Sequence, residues 1–257
     1  MKKVVVTGWC MFLACIATSG VSLAAEKIYA NSIGMEFVLV PAGSFARSGV
    51  PNEFGEKADV NMVVTKPFYL GKYQVMQEEW VAVMGSGSNP SQVRGRKNPV
   101  ETVSWDDAQE FIKRLNAKEG HTRYRLPTDS EWELATRAGT DTAYSFGDDA
   151  RLLGEYAWYK GNANAATHPV GQKKPNPWGL YDMHGNVWEW VQDWDMDKFS
   201  ADKEIRDYQG PETGTRRVSR GCGWSSGAEL CRSAYRSSGT PANRLGFVGF
   251  RLAFSPE

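Results

Sequence analysis

Cysteine is scarce in this chain, with four in 257 residues. Cys10 and Cys15 fall in an apolar stretch at the N-terminus, so Cys222 and Cys231 alone serve the rest, which excludes a scaffold stapled by several disulfides. Whether these two pair is open on spacing alone. Histidine is scarcer still: His121, His168 and His184 are scattered along the chain, which excludes a zinc cluster of the usual Cys/His spacing. Net charge is absent too, with 30 basic and 30 acidic residues. There is no basic field to hold nucleic acid and no polybasic patch for a membrane surface. An unbroken apolar run long enough to span a bilayer, roughly 18 residues, is also missing, because Thr7, Gly8, Thr18, Ser19 and Gly20 interrupt Val4 to Val21. No internal repeat, charge block or linker divides the rest of the chain, so one domain is expected.

The N-terminus reads as a leader. Lys2 and Lys3 precede the apolar stretch and Ser22-Leu23-Ala24 supplies the small residues of a signal-peptidase site, so cleavage after Ala24 and export are expected. The mature chain, residues 25–257, then carries a charge of about −2 and no transmembrane anchor. Its address would be periplasmic, cell-surface or secreted. Phe12-Leu13-Ala14 ahead of Cys15 is a poor match to a lipobox.

Two helices stand out. Ser104 caps a segment whose Ala108, Phe111, Ile112 and Leu115 follow the i, i+3, i+4, i+7 pattern until Gly120 stops it. Thr128-Asp129-Ser130-Glu131 is a capping box opening a second helix that runs to about Ala138 before Gly139. Met35 to Val40 reads as a strand. Elsewhere Gly, Pro, Asn and Asp recur every few residues, so much of the chain is expected to be ordered loop in an α+β fold. Trp188, Trp190 and Trp224 read as core or pocket wall, Arg232, Arg236 and Arg251 as scaffold partners for carboxylates and carbonyls, and Asp193 to Asp197 as a solvated acidic loop.

Five ordered segments carry a resemblance: Asn31 to Phe45, Pro99 to Ala108, Tyr124 to Glu133, Gly179 to Trp190, and Gly249-Phe250-Arg251-Leu252-Ala253. Together they resemble the formylglycine-generating enzyme, or sulfatase-modifying factor, family over nearly the whole mature chain. The resemblance implies a compact, loop-rich α+β fold related to the C-type lectin fold. It also implies a test of chemistry. The family's oxidases place a Cys-x4-Cys pair just after a Gly-Gly-Ser-aromatic turn, where the thiolates bind copper. Here the turn is Gly221-Cys222-Gly223-Trp224, and the two positions fall on Ser226 and Cys231. A hydroxyl does not replace a soft thiolate for Cu(I), so copper and the oxidase reaction are not expected; the enzyme alternatives are an oxidase that works with Cys231 and Ser226, or a periplasmic relative with different chemistry that uses no cysteine. The family's structural calcium loop matches Asp182 to Glu189. The resemblance assigns the Asp182 and Glu189 side chains and the Gly185 and Val187 carbonyls as oxygen ligands of the kind calcium takes.

The C-terminal segment, about residues 217–253, also resembles the C-type-lectin-like variable proteins rewritten by diversity-generating retroelements. The skeleton Arg220-Gly221…Trp224, Cys231-Arg232-Ser233-Ala234…Arg236, Pro241…Asn243-Arg244 and Gly249 to Ala253 is interrupted by short runs of small, mixed residues. Adenine substitution in an AAC or AAT codon never yields Lys, Gln, Glu, Trp or Met, and among eighteen gap positions from Cys222 to Val248 Glu229 alone is such a residue. The resemblance therefore implies a non-catalytic display surface for a protein or surface ligand, carried by Ser225, Ser226, Gly227, Tyr235, Ser237, Ser238, Gly239, Thr240, Leu245 and Phe247. Ser, Gly and Tyr suit that role, since Tyr gives contact area at low entropy cost and Ser and Gly adapt their hydrogen bonding.

Overall fold

The computed structural model describes residues 27–51, 57–196 and 203–256. The expected leader with its expected cleavage point, Cys10, Cys15 and Asp197 lie outside the described residues. In chain order the first elements are β1 (Ile28–Ala30), β2 (Glu36–Val40), β3 (Gly43–Pro51), β4 (Lys57–Val64) and β5 (Phe68–Gly71), followed by helices α1 (Gln77–Met84), α2 (Trp105–Glu119), α3 (Asp129–Arg137) and α4 (Leu153–Tyr156). Strands β6 (Trp188–Trp194), β7 (Glu204–Arg206), β8 (Arg217–Arg220), β9 (Arg236–Gly239), β10 (Val248–Phe250) and β11 (Ala253–Phe254) complete the chain. Helix accounts for 20% and strand for 24%, so turns and loops dominate, as the Gly, Pro, Asn and Asp spacing predicts.

Three sheets form. The first, in the order β1-β2-β5-β11, is antiparallel and brings the two ends of the described chain together. Its β2 divides two hydrophobic clusters. Phe37 and Leu39 face one with Tyr69 and Phe254, while Val38 and Val40 face the other with Phe68 and Leu70. A sheet buried on both faces calls for a continuous apolar run rather than alternation, which is what Phe37 to Val40 supplies. The second sheet, β10-β6-β8-β9, has β10 parallel to β6 and the other pairs antiparallel. The third is β3-β4-β7.

The two expected helices are present with their caps. Ser104 Oγ accepts from the Asp107 N–H at 3.0 Å while Asp107 Oδ2 accepts from the Ser104 N–H at 2.8 Å, and Thr128 and Glu131 repeat the exchange at 3.1 and 2.9 Å. Each satisfies two of the donors a helix start leaves free. Helix α2 buries Ala108, Phe111, Ile112 and Leu115. Its Phe111 stacks on Trp80 at 5.5 Å and meets Phe250 edge-on at 5.4 Å, and burying one such side chain is worth about 1.5–3 kcal/mol. Helix α1 is an addition to the sequence reading. It has no hydroxyl or carboxylate at its N-cap, Met76, and buries only Gln77, Glu79 and Trp80, so it shows no apolar period. All nine residues of α3 are buried, among them the charged Asp129, Glu133 and Arg137.

Candidate functional site

Strand β8 lies between β6 and β9 and leads into the turn Gly221-Cys222-Gly223-Trp224. Gly221 has φ +91°, and a Cβ there would stand 2.9 Å from the Trp132 ring, so both backbone and space require glycine. Cys222 is disulfide-bonded to Cys231, which closes the loop 223–230. The loop is then pinned on both sides. Trp224 donates from its main-chain N–H to Asn186 O at 2.8 Å and from its indole to Gly246 O at 2.9 Å, while the Trp188 N–H donates to Phe247 O at 2.8 Å.

These links shape a pit of about 60 Å³ in which Ser237, Ser238, Gly239, Leu245 and Phe247 meet Trp188, Trp190, Ser219, Asn243 and Val248. Two separate interrupted runs of the sequence thus converge on one place. Tyr235 stands at the side, 39% exposed, with its ring 6.0 Å from that of Trp188. Leu245 is 38% exposed, Ser225, Ser237 and Thr240 are exposed, and Gly227, Ser238 and Phe247 are half-buried. Two expected surface residues are not on the surface. Ser226 is buried because its Oγ accepts from the Trp188 indole at 3.1 Å and from the Gly223 N–H at 3.3 Å. Gly239 is buried because a Cβ there would come within 3.0 Å of the Trp190 ring. Both support the wall of the pit rather than face outward. Ser219 and Asn243 are additions to the sequence reading, since each lies in what reads as skeleton.

Beneath the pit is an ionic cluster that the sequence does not reveal. Arg220, fully buried, pairs with Asp129 at 3.1 Å and Glu133 at 2.5 Å. Arg47 reaches the same two carboxylates at 2.9 and 2.8 Å, Arg137 reaches Glu133 at 2.9 Å, and Arg236 reaches Asp129 at 3.0 Å. Arg220 also donates to the carbonyls of Ser233, Ala234 and Tyr235, so the cluster fixes the backbone that carries Tyr235. Burial by itself would raise Asp129 and Glu133, but the guanidinium groups outweigh it and hold both carboxylates below their ordinary range. Arg236 is thus a scaffold partner as expected, whereas Arg232 lies at the surface beside Tyr144.

Asp193 corrects another expectation: it is 1% exposed on β6, not solvated. Its Oδ2 accepts from the Asp129 N–H at 2.8 Å. Burial, and after it the Asp129 carboxylate, pushes Asp193 from 3.8 up to about 8. A raised folded value contributes stability that is fully present below 3.8 and lost as pH rises through about 8, because the folded state keeps a proton that the unfolded chain releases. Asp193→Asn retains the acceptor and removes the titration. The variant should therefore gain stability over the parent steadily between about pH 4 and 8. Parallel stability profiles for the two proteins would refute this.

The residues expected to hold calcium do come together, but around a nitrogen. The carbonyls of Gly185 and Val187 and Glu189 Oε1 accept from the Gln74 side-chain amide at 3.1, 3.0 and 2.9 Å. Asp182 contributes its main-chain carbonyl, at 3.5 Å, and not its carboxylate; its Oδ2 accepts from the Gly171 N–H at 2.8 Å. Glu189 is further bound by Arg251 at 2.7 Å through both oxygens and by the Trp132 indole at 2.7 Å. The Gln74 amide nitrogen thus fills the space among these oxygens, a hydrogen-bond donor standing where a calcium ion would need an open position.

The residues at the oxidase positions do not fit copper. Cys231 is one half of a disulfide and Ser226 is engaged with Trp188, so no thiolate pair exists there for a soft cation.

Residues 26–256 match the sulfatase-modifying factor enzyme 1-like domain. The chain is 34% identical over 229 residues to the formylglycine-generating enzyme of Streptomyces coelicolor, covering 78% of this chain and 68% of that one. It is 31% identical over 289 residues to chaperone protein LppX of Paenibacillus barcinonensis, covering 93% and 95%. Among solved structures it resembles Treponema denticola variable protein 1, with a TM-score of 0.78 and 31% identity over 90% of this chain and 99% of that one. It also resembles PvdO from Pseudomonas aeruginosa, with a TM-score of 0.73 and 27% identity over 91% and 100%. The chain belongs to the sulfatase-modifying factor family, and its loop-rich α+β architecture is the formylglycine-generating-enzyme fold related to C-type lectin. Among the described residues no helix is long and apolar enough to cross a membrane.

Proposed function

We propose that this protein is an exported, non-catalytic ligand-binding protein that displays a diversified C-terminal surface on the formylglycine-generating-enzyme fold. The observation that carries this reading is the convergence of Ser237, Ser238, Gly239, Leu245 and Phe247, drawn from two separate runs, on the Trp188 pit beside an exposed Tyr235. Small and aromatic residues around an apolar floor form a surface that varies in detail while its frame stays fixed. The likeness to a protein called a variable protein supports it, as does Ser226 standing where the resemblance places the first cysteine of the oxidase pair. The partner is a protein or other surface ligand, held by the aromatic side chains and oriented by the serine hydroxyls. Calcium is no part of this reading.

The test is a library in which Ser225, Tyr235, Ser237, Ser238, Thr240, Leu245 and Phe247 are randomised together and the products are selected against an immobilised protein such as hen lysozyme. Most members should fold, because surface changes away from caps and cores stay within about 0.5 kcal/mol each, and binders should emerge with substitutions in the pit. In a selected binder that keeps Tyr235 and Phe247, Tyr235→Ala and Phe247→Ala should each weaken binding by roughly tenfold or more, as truncated aromatic anchors do. A library that mostly fails to fold would sink the reading. A neighbouring reverse-transcriptase gene with an adenine-rich copy of the segment would establish the diversification independently.

A further inference from the structure

Gln74 follows β5 and is fully buried, and its side-chain nitrogen is held by the loop 182–189. Its amide nitrogen faces four oxygens, those of Asp182, Gly185, Val187 and Glu189, between 2.9 and 3.5 Å. The amide orientation follows from this, since turning it over would aim Oε1 at the same four oxygens. Oxygens converging from one tight loop are the arrangement a hard cation takes, yet Gly185 O, Val187 O and Glu189 Oε1 stand at N–H···O distances from the amide, with Asp182 O farther off. Charge points the same way. The carboxylate of Glu189 is neutralised by Arg251, which continues to the carbonyls of Gly71 and Tyr181 at 2.9 Å each, and the Asp182 carboxylate is turned to Gly171. A dication at this point would meet an ion-paired carboxylate with a guanidinium directly behind it.

We propose that the Gln74 side-chain amide takes the cation's position in the 182–189 loop, so that the loop closes without metal, and that one carboxylate at position 74 turns it into a calcium site. The loop is not isolated from the pit. Asn186 O accepts from the Trp224 N–H at 2.8 Å, and Trp188, one residue before the loop's end, donates from its N–H to Phe247 O at 2.8 Å. Gln74 is thus a positioning residue for the surface, and the surface keeps its form in calcium-poor surroundings. The inference stands on the loop geometry alone and does not depend on what the pit binds.

The experiment compares melting temperatures of the purified chain in excess EDTA and in excess calcium chloride, with calorimetric titration by calcium. The parent protein should melt at the same temperature in both and take up no calcium. Gln74→Glu should bind calcium and melt about 5 °C or more higher at calcium a hundredfold above its Kd, because an ion bound only by the folded state stabilises by linkage. Gln74→Met, similar in size but without the donor, should melt lower than the parent by the same amount in both conditions. A parent protein stabilised by calcium would overturn the proposal and restore the cation to the loop. So would a Gln74→Glu variant indifferent to calcium, or a Gln74→Met variant as stable as the parent.

Discussion

Replacing Glu133 by alanine should lower the free energy of unfolding by about 3–5 kcal/mol, the cost of removing one partner from a buried ion pair. Glu133 is fully buried and serves Arg47, Arg137 and Arg220 at once, so its loss leaves Asp129 as the principal counter-charge for several guanidinium groups. A well-packed apolar replacement of the whole cluster would cost far less, because desolvating charges offsets much of what their attraction contributes. The penalty therefore comes from the unpaired charge. Urea unfolding of Glu133→Ala measures it, and a loss under about 1 kcal/mol would show that the cluster is dispensable. The control is Arg114→Ala, which breaks an exposed pair with Glu110 on α2 and should leave the midpoint unchanged. The acid limb carries the same signature. Glu133 is held below its ordinary value by the arginines against the opposing effect of burial, so its contribution is present above about pH 4.5 and disappears as pH falls through its depressed folded value. The loss should extend to binding, because Arg220 holds the carbonyl of Tyr235 at 2.7 Å and Tyr235 stands beside the pit.

How much of the fold and the site was legible in the sequence depended on whether the information was local. The helices capped by Ser104 and Thr128 could be read because each signal lies within four residues. Helix α1 could not, because its first turn is closed by Glu79 reaching back to the Met76 N–H at 2.7 Å and not by a hydroxyl or carboxylate at the cap. The pit was half legible. Its interrupted runs are visible in the sequence, but burial is not, so Ser226 and Gly239 read as surface although one holds an indole and the other makes room for one. Asp193 looks solvated among its acidic neighbours, since strand β6 alternates faces and only the structure shows which face Asp193 takes. The ionic cluster left no trace because Arg47 lies 86 positions from Glu133 and Arg220 lies 87 from it. Gln74 was silent for the same reason: an amide replacing an ion has no motif, and the loop's own sequence still matches the pattern of a calcium site.

Replacing Cys222 and Cys231 together by alanine should cost about 2.5 kcal/mol, the entropy of closing a loop of roughly ten residues. A protein prepared as residues 25–257 should present no titratable thiol until it is reduced under denaturing conditions, since Cys222 and Cys231 are fully buried as well as paired. The effect is local in form. The bridge holds the 223–230 loop against the body, where the Cys231 carbonyl accepts from His184 Nδ1 at 2.9 Å and the other ring nitrogen meets Ser145. Burial lowers His184 to about 4, so the ring is neutral at neutral pH and keeps Nδ1–H for that carbonyl. Without the bridge, Ser226 loses its fixed place under the Trp188 indole, and a binder selected on this surface should lose affinity by more than its drop in stability predicts when measured well below the melting temperature. The same pair of cysteines separates the two functional readings. A display protein gains no chemistry when its cysteines are freed, whereas an oxidase would use Cys231 as a thiolate. Copper-dependent oxidation of a sulfatase-type cysteine peptide by the reduced protein, abolished by Cys231→Ala, would make the enzyme reading correct. No peptide oxidation in either redox state, together with loss of binding on reduction, is the expected result.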